Sequence, residues 1–222
     1  INGDDYVFTY YDMAKQYEKA GNKKATIKAK KATLQAWVTI GSPKNAVASD
    51  LAAEFAFEEA ERDYHRKFTP FKIKKALTTR KQATKVLGEL ISLSDGARAG
   101  FTALAKYESG PWALAARTRL GDVFFFQALK IAEMPVPREI IKLDDKYPDK
   151  GILLQFEDAI NAQVAPLEEQ ARLQWEKVVN AGKTQGVSNE WTQLALERLH
   201  DFVSQDEFPV LRGELREGTE IP

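Results

Sequence analysis

Two histidines, one Glu-Ser pair and a few glycines are the residues of this 222-residue chain whose types could do chemistry. His65 and His200 could act as bases or metal ligands. Neither has a second histidine three or four positions away, the spacing that puts two ligands on one helical face, so both read as surface or packing residues. Glu108 beside Ser109 could be a general acid if an apolar cleft raised its pKa and a substrate groove surrounded it. The pair instead sits in Glu108-Ser109-Gly110-Pro111, a turn sequence. Gly96 and Gly100 stand isolated in a helical pattern, and no Gly-x4-Gly-Lys-Ser/Thr string is present to cradle phosphate. Asp144-Asp145 and Glu168-Glu169 are adjacent in sequence, and a helix points adjacent residues in different directions. With no cysteine, thiolate metal sites, disulfides and a cysteine nucleophile are excluded. The expectation is a non-catalytic chain with no cofactor and no metal.

Composition narrows the class further. There are 32 basic and 32 acidic residues, 44% are hydrophobic and 29% charged, the balance of a soluble folded protein. Neutrality argues against nucleic-acid binding, which needs a surplus of Lys and Arg. No apolar run approaches the ~18 residues of a membrane span. The first residue is isoleucine, as in a processed or excised chain, so an upstream signal or lipid anchor stays open. Charge is unevenly spread: 19 basic and 13 acidic residues up to Pro111, 13 and 19 beyond it. The surplus gathers in Lys23, Lys24, Lys28, Lys30 and Lys31, then in Lys72, Lys74, Lys75, Arg80, Lys81 and Lys85. Such runs are either a basic face for an acidic partner or anionic lipid, or a solvated helix face, the commoner case.

The elements that position these residues read as helices throughout. Tyr6, Tyr10, Met13, Ala14, Tyr17 and Ala20 recur at three- and four-residue steps, and Gly21-Asn22 ends this first helix. A second carries Ala25, Ala29, Ala32, Ala36 and Trp37 and breaks at Gly41-Ser42-Pro43. A third runs from about Lys44 to Phe68, stopping at Thr69-Pro70. A helical pattern from about Lys74 to Tyr107 follows, which Ser94-Asp95-Gly96 either breaks or leaves as one. Trp112 to about Met134 is the most apolar helix, ended by Pro135 and Pro137. Residues from Arg138 to Pro148 are expected to be a charged connection. A long helix from about Lys150 to Gly182 contains Pro166, and a final one, N-capped by Ser188, holds Trp191, Leu194, Ala195, Leu199 and Phe202. Residues 1–205 are taken as one helical array and 206–222 as an irregular tail. No alternation of strand length occurs, so the fold class is all-α.

Small residues suggest how the helices stack. Ala25, Ala29 and Ala32 lie on one face, with Ala14 and Tyr17 opposite on the preceding helix; Leu120, Gly121 and Phe124 repeat the pattern. This resembles a degenerate tetratricopeptide repeat, about 34 residues per helix pair, and implies a solenoid of antiparallel pairs with some unusually long helices. Residues 3–37, 112–137, 164–179 and 189–199 are also similar to repeat proteins of deltaproteobacterial cell envelopes, including components associated with the gliding-motility machinery of myxobacteria. That resemblance implies an envelope scaffold, periplasmic or associated with the outer membrane. Two alternatives stand beside it: a cytoplasmic adaptor for a motility or polarity regulator, and the helical arm of a peptidoglycan-acting enzyme. For the last, Glu108-Ser109 matches the acid-bearing dipeptide of lytic transglycosylases, whose downstream Gly-Leu-Met-Gln element is missing.

A solenoid of this kind binds a partner's peptide or helix in its concave wall. Aligned on Ala14 and on Leu120-Gly121, the groove-facing candidates are Phe8, Tyr11, Lys15, Glu18 and Lys19, then Ala115, Thr118, Asp122, Phe125 and Phe126. The expected partners are proteins, with aromatics as anchors and lysines for steering.

Overall fold

The computed structural model describes residues 4–44, 46–73 and 76–202, and the regular elements among them are all helical. In chain order they are α1 (Asp4–Lys19), α2 (Lys23–Thr39), α3 (Val47–Asp63), α4 (Arg80–Thr102), α5 (Gly110–Ala132), α6 (Arg138–Lys146), α7 (Ile152–Gln185) and α8 (Glu190–His200). A π-helical turn at Tyr64–Phe68 extends α3, and short 3-10 turns occupy Ala103–Tyr107 and Pro148–Lys150. None of the described helices is long and apolar enough to cross a membrane. The expected irregular tail, 206–222, lies outside the described residues.

Local chemistry accounts for most boundaries. α1 ends where Gly21 takes a left-handed φ of 71°, and the Asn22 amide returns to the Tyr17 carbonyl at 2.9 Å. Asn22 then caps α2 by accepting from the Ala25 amide. Ser94–Gly96 does not interrupt α4, which runs as one helix. Its start differs from expectation: 76–79 are not helical, and Lys74 and Lys75 lie outside the described residues. Two further corrections concern the C-terminal half. The stretch expected as a charged connection contains α6, with Ile140 buried; Glu139 in its first turn and Lys146 in its last suit the helix dipole. Nine residues with three apolar side chains were too few to show a period. The cap of α8 is Asn189, not Ser188: its side chain accepts from the Trp191 and Thr192 amides while the Thr192 hydroxyl accepts from the Asn189 amide.

The chain divides into two compact units, Ile1–Asp63 with Gly100–Ala116, and Tyr64–Ala99 with Arg117–Pro222. In the first, α1 and α2 form an antiparallel pair. Val7, Ala36, Trp37, Ala52, Ala53 and Tyr107 make one core cluster; Ala14, Ala29 and Phe55 make another. The Trp37 ring lies 4.4 Å from that of Tyr107, and its indole N–H donates to the Pro43 carbonyl at 3.0 Å, so the α2–α3 turn is tied to the core.

The second unit is organised around Trp175 of α7, which is fully buried. Its indole N–H donates to the Thr118 carbonyl at 3.2 Å, and the Thr118 hydroxyl donates to the Trp191 carbonyl at 3.2 Å, linking α5, α7 and α8. Asp122 is 1% exposed and paired with Arg119 at 2.8 Å and Arg198 at 3.4 Å. Burial pushes its carboxyl above the usual range, and the two guanidiniums oppose that push.

Gly121 is where α5 admits the Trp175 ring. A Cβ there would stand 2.7 Å from indole Cδ1. Gly121→Ala is therefore expected to lose about 2–3 kcal/mol in urea unfolding, an overpacking effect. Gly88→Ala, in an exposed part of α4 with nothing within 4 Å of the added methyl, should gain about 0.5–1 kcal/mol. Equal effects at the two positions would show that the glycine–indole contact does not constrain the fold.

Candidate functional site

In the first unit a cleft of about 460 Å³ lies between α2 and α3. Its α2 wall is Thr26, Ile27, Lys30, Lys31 and Leu34, with Lys23 at one end; the α3 wall is Phe55, Glu58, Glu59 and Arg62. The helical period explains the opening. α2 commits Thr26, Ala29, Thr33, Ala36 and Trp37 to the interior, so Ile27, Lys30 and Leu34 fall on the flank toward α3. Small side chains at Ala29 and Ala14 draw α2 onto α1, and contact between α2 and α3 is far sparser than between α1 and α2.

The charges along this cleft fall into two groups. Lys30 is fixed: its ammonium bridges Glu58 and, at 3.2 Å, Glu18, and it lies 4.9 Å from the centre of the Phe55 ring. Arg62 is paired with Glu59 at 3.2 Å. Lys23 and Lys31, by contrast, are exposed and have no ion-pair partner among the described residues; the same holds for Lys24 and Lys28. Ile27, half exposed, is set among these four lysines. A smaller hollow of about 300 Å³, lined by Tyr6, Tyr10, Ala32, Gln35, Thr39 and Ile40, lies between α1 and α2.

The ten groove candidates do not share one fate, and Glu18 is paired with Lys30. Tyr11 and Lys15 converge on α3: the Tyr11 ring stacks on Phe55 at 4.9 Å, its hydroxyl donates to Glu54 at 2.8 Å, and Lys15 pairs with the same carboxylate. Both are spent within the unit. Phe8 and Lys19 are exposed on α1. Ala115, Thr118 and Asp122 are buried and offer a partner no surface. Phe125 and Phe126 are half-buried; Phe125 packs at 5.8 Å from Trp175 and 5.5 Å from Phe202. The cleft residues Ile27, Leu34 and Phe55 were missed as a site. The lysine run beside them was the visible signal, but sequence does not show which lysines are already paired.

The residues considered for chemistry are placed as follows. Glu108 is exposed, in a left-handed conformation with φ 51°, and paired with Lys44. Ser109 beside it is buried, its hydroxyl without a hydrogen-bond partner among the described residues. His65 is exposed on the π-helical turn. Among the described residues no group of three or more His, Asp or Glu side chains is placed to hold a metal ion. No protein-family model, curated protein or solved structure matches the chain.

Two tyrosines in the first unit give it a pH dependence. Burial and the neighbouring Glu54 carboxylate hold the Tyr11 hydroxyl well above its usual pKa. Burial, then Glu59, pushes Tyr107 up to about 12. An acid whose folded pKa is raised keeps its proton longer folded than unfolded, so stability is lost as pH rises through the window that opens near the ordinary value of 10.0. The thermal midpoint of Tyr11→Phe/Tyr107→Phe is expected to fall less steeply between pH 10 and pH 12 than that of the wild type. Parallel slopes would show that neither phenol is linked to folding.

Proposed function

We propose that this chain is a non-catalytic protein–protein interaction scaffold built from tetratricopeptide-like helix pairs. Its setting is a bacterial cell-envelope machine of the gliding-motility type, at the periplasmic or outer-membrane side. The single observation that carries the binding role is the α2–α3 cleft, whose floor is apolar and whose rim holds uncommitted lysines. At about 460 Å³ it falls within the size range of clefts that enclose a ligand's side chains. Helices that diverge after a close crossing are a common way to receive an extended segment or a partner's helix.

The repeat reading draws support from the first helix pair. α1 has 16 residues and α2 has 17, joined by a tight turn at Gly21, close to the length of one tetratricopeptide unit. Ala14 and Ala29 occupy the contact between them, where the repeat pattern calls for small residues. The envelope setting rests on the sequence resemblance alone.

Display selection of random peptides on the immobilised chain tests the binding role. The expected result is enrichment of a related set of peptides whose binding is lost in Ile27→Asp. That variant should stay folded because Ile27 is half exposed. Failure to enrich any peptide, or binding that survives Ile27→Asp unchanged, would remove the cleft from the proposal.

A further inference from the structure

The rim of the cleft also defines what it can hold. Along α2, positions 23, 27 and 31 form one stripe, with 24 and 28 beside it. From Lys23 to Lys31 the helix rises about 12 Å, so these two uncommitted ammonium groups edge the cleft two turns apart, while Lys24 and Lys28 lie on the adjoining outer face of α2. No acidic residue occurs in α2, and none of its first-turn positions offsets these charges. On the facing wall, Glu58 is taken by Lys30 and Glu59 by Arg62. Lys30 is shared between Glu18 and Glu58, so the paired groups leave a slight negative balance, and Lys23 and Lys31 turn the cleft positive along the α2 edge. Between that edge and the Phe55 ring lie Ile27 and Leu34, an apolar strip.

We propose that the cleft takes an acidic peptide segment, one that sets apolar side chains on the strip of Ile27, Leu34 and Phe55 and lays carboxylates against Lys23 and Lys31, with Lys24 and Lys28 on the adjoining face adding to the positive field. The inference rests on the scaffold reading above and specifies its partner. Concavity favours such a segment over a flat bilayer: a lipid surface would engage the lysines and leave the cleft empty. Lys30 is set apart from recognition because its ammonium is already paired with Glu18 and Glu58, and it serves as a strut beside the cleft floor.

Fluorescence polarisation with two synthetic peptides tests this. One carries paired leucines flanked by glutamates; the other has lysine in place of every glutamate. The glutamate peptide is expected to bind, to weaken as salt is added, and to bind at least about tenfold better than its counterpart. Lys23→Glu/Lys31→Glu should cost the glutamate peptide about tenfold and raise affinity for the lysine peptide. Lys142→Glu/Lys177→Glu, the same change in net charge on exposed sites in the second unit, should leave both affinities unchanged. Circular dichroism confirms folding of each variant.

Equal binding of the two peptides, surviving in Lys23→Glu/Lys31→Glu, would overturn the acidic preference while leaving a peptide-binding scaffold intact. Binding of neither peptide would overturn both. Two further arms name other occupants. Association with phosphatidylglycerol vesicles that is lost in Lys23→Glu/Lys31→Glu, without competition from the glutamate peptide, would assign the lysines to a membrane surface. Concentration-dependent self-association in sedimentation that the same variant abolishes, and that the peptide does not displace, would assign the cleft to a second copy of the chain.

Discussion

The close approach of α2 to α1 is the constraint from which the rest of the first unit follows. It is possible because the facing positions are small: Ala14 on α1, Ala29 and Ala36 on α2, all buried. Thr26 and Thr33 join that face without an unsatisfied polar atom, since their hydroxyls donate to the Asn22 and Ala29 carbonyls one turn back at 2.9 and 3.0 Å. They therefore pack as small side chains. With one face of α2 spent in this way, its lysines have only the outside and the flank to occupy. The flank toward α3 becomes the cleft because α3 is held off it by the Phe55 ring and, at the mouth, by the Lys30 bridge to Glu18 and Glu58.

The second unit solves a similar problem with a different device. Instead of a stripe of alanines, α5 leaves one gap, Gly121, and α7 fills it with the largest side chain available. Around that contact the polar atoms are accounted for: the indole N–H by Thr118, the Thr118 hydroxyl by Trp191, the Asp122 carboxylate by two arginines. Arg119 also lies 4.9 Å from the Trp191 ring centre, so one guanidinium serves both the carboxylate and the aromatic face. Replacing either partner of the Asp122 pair would leave a charge with little water to receive it, which is why such pairs are costly to break even where they add little net stability.

How much of this was legible in the chain differs by element. Helix identity was readable wherever the apolar period ran for several turns, as in α1, α2 and α5, and wherever Gly or Pro marked an end. It failed at α6, whose nine residues hold only Ile140, Ile141 and Leu143 as apolar markers. It misplaced the cap of α8 by one position, because Ser188 and Asn189 are both good caps and only the return bond from Thr192 decides between them. Gly121 was noticed as a small residue between larger ones, but its partner is more than fifty positions away in α7. Aligned on Leu120-Gly121, Asp122 and Thr118 read as groove-facing residues of α5. Both are buried: the face expected to look outward is the one that receives α7 and α8.

The lysine run of α2 shows why charge counted along a chain does not measure charge available to a partner. Five lysines with no acidic residue between them read as a uniform basic stretch. In the fold, the helical period separates them. Lys30 alone falls on the flank where Glu18 and Glu58 can reach it, and its pairing turns it from a recognition group into part of the framework. The other four stay in water, and two of them, Lys23 and Lys31, stand beside the hydrophobic strip, where their long stems can cover apolar surface while the ammonium groups remain solvated. A segment that displaces this water meets two charges at the cleft edge, Lys23 and Lys31, that no internal pairing among the described residues has satisfied, and an isoleucine already half out of the core. Carboxylates beside an apolar side chain satisfy both at once; a neutral segment would meet only the strip, and a basic one would meet repulsion along the whole α2 edge.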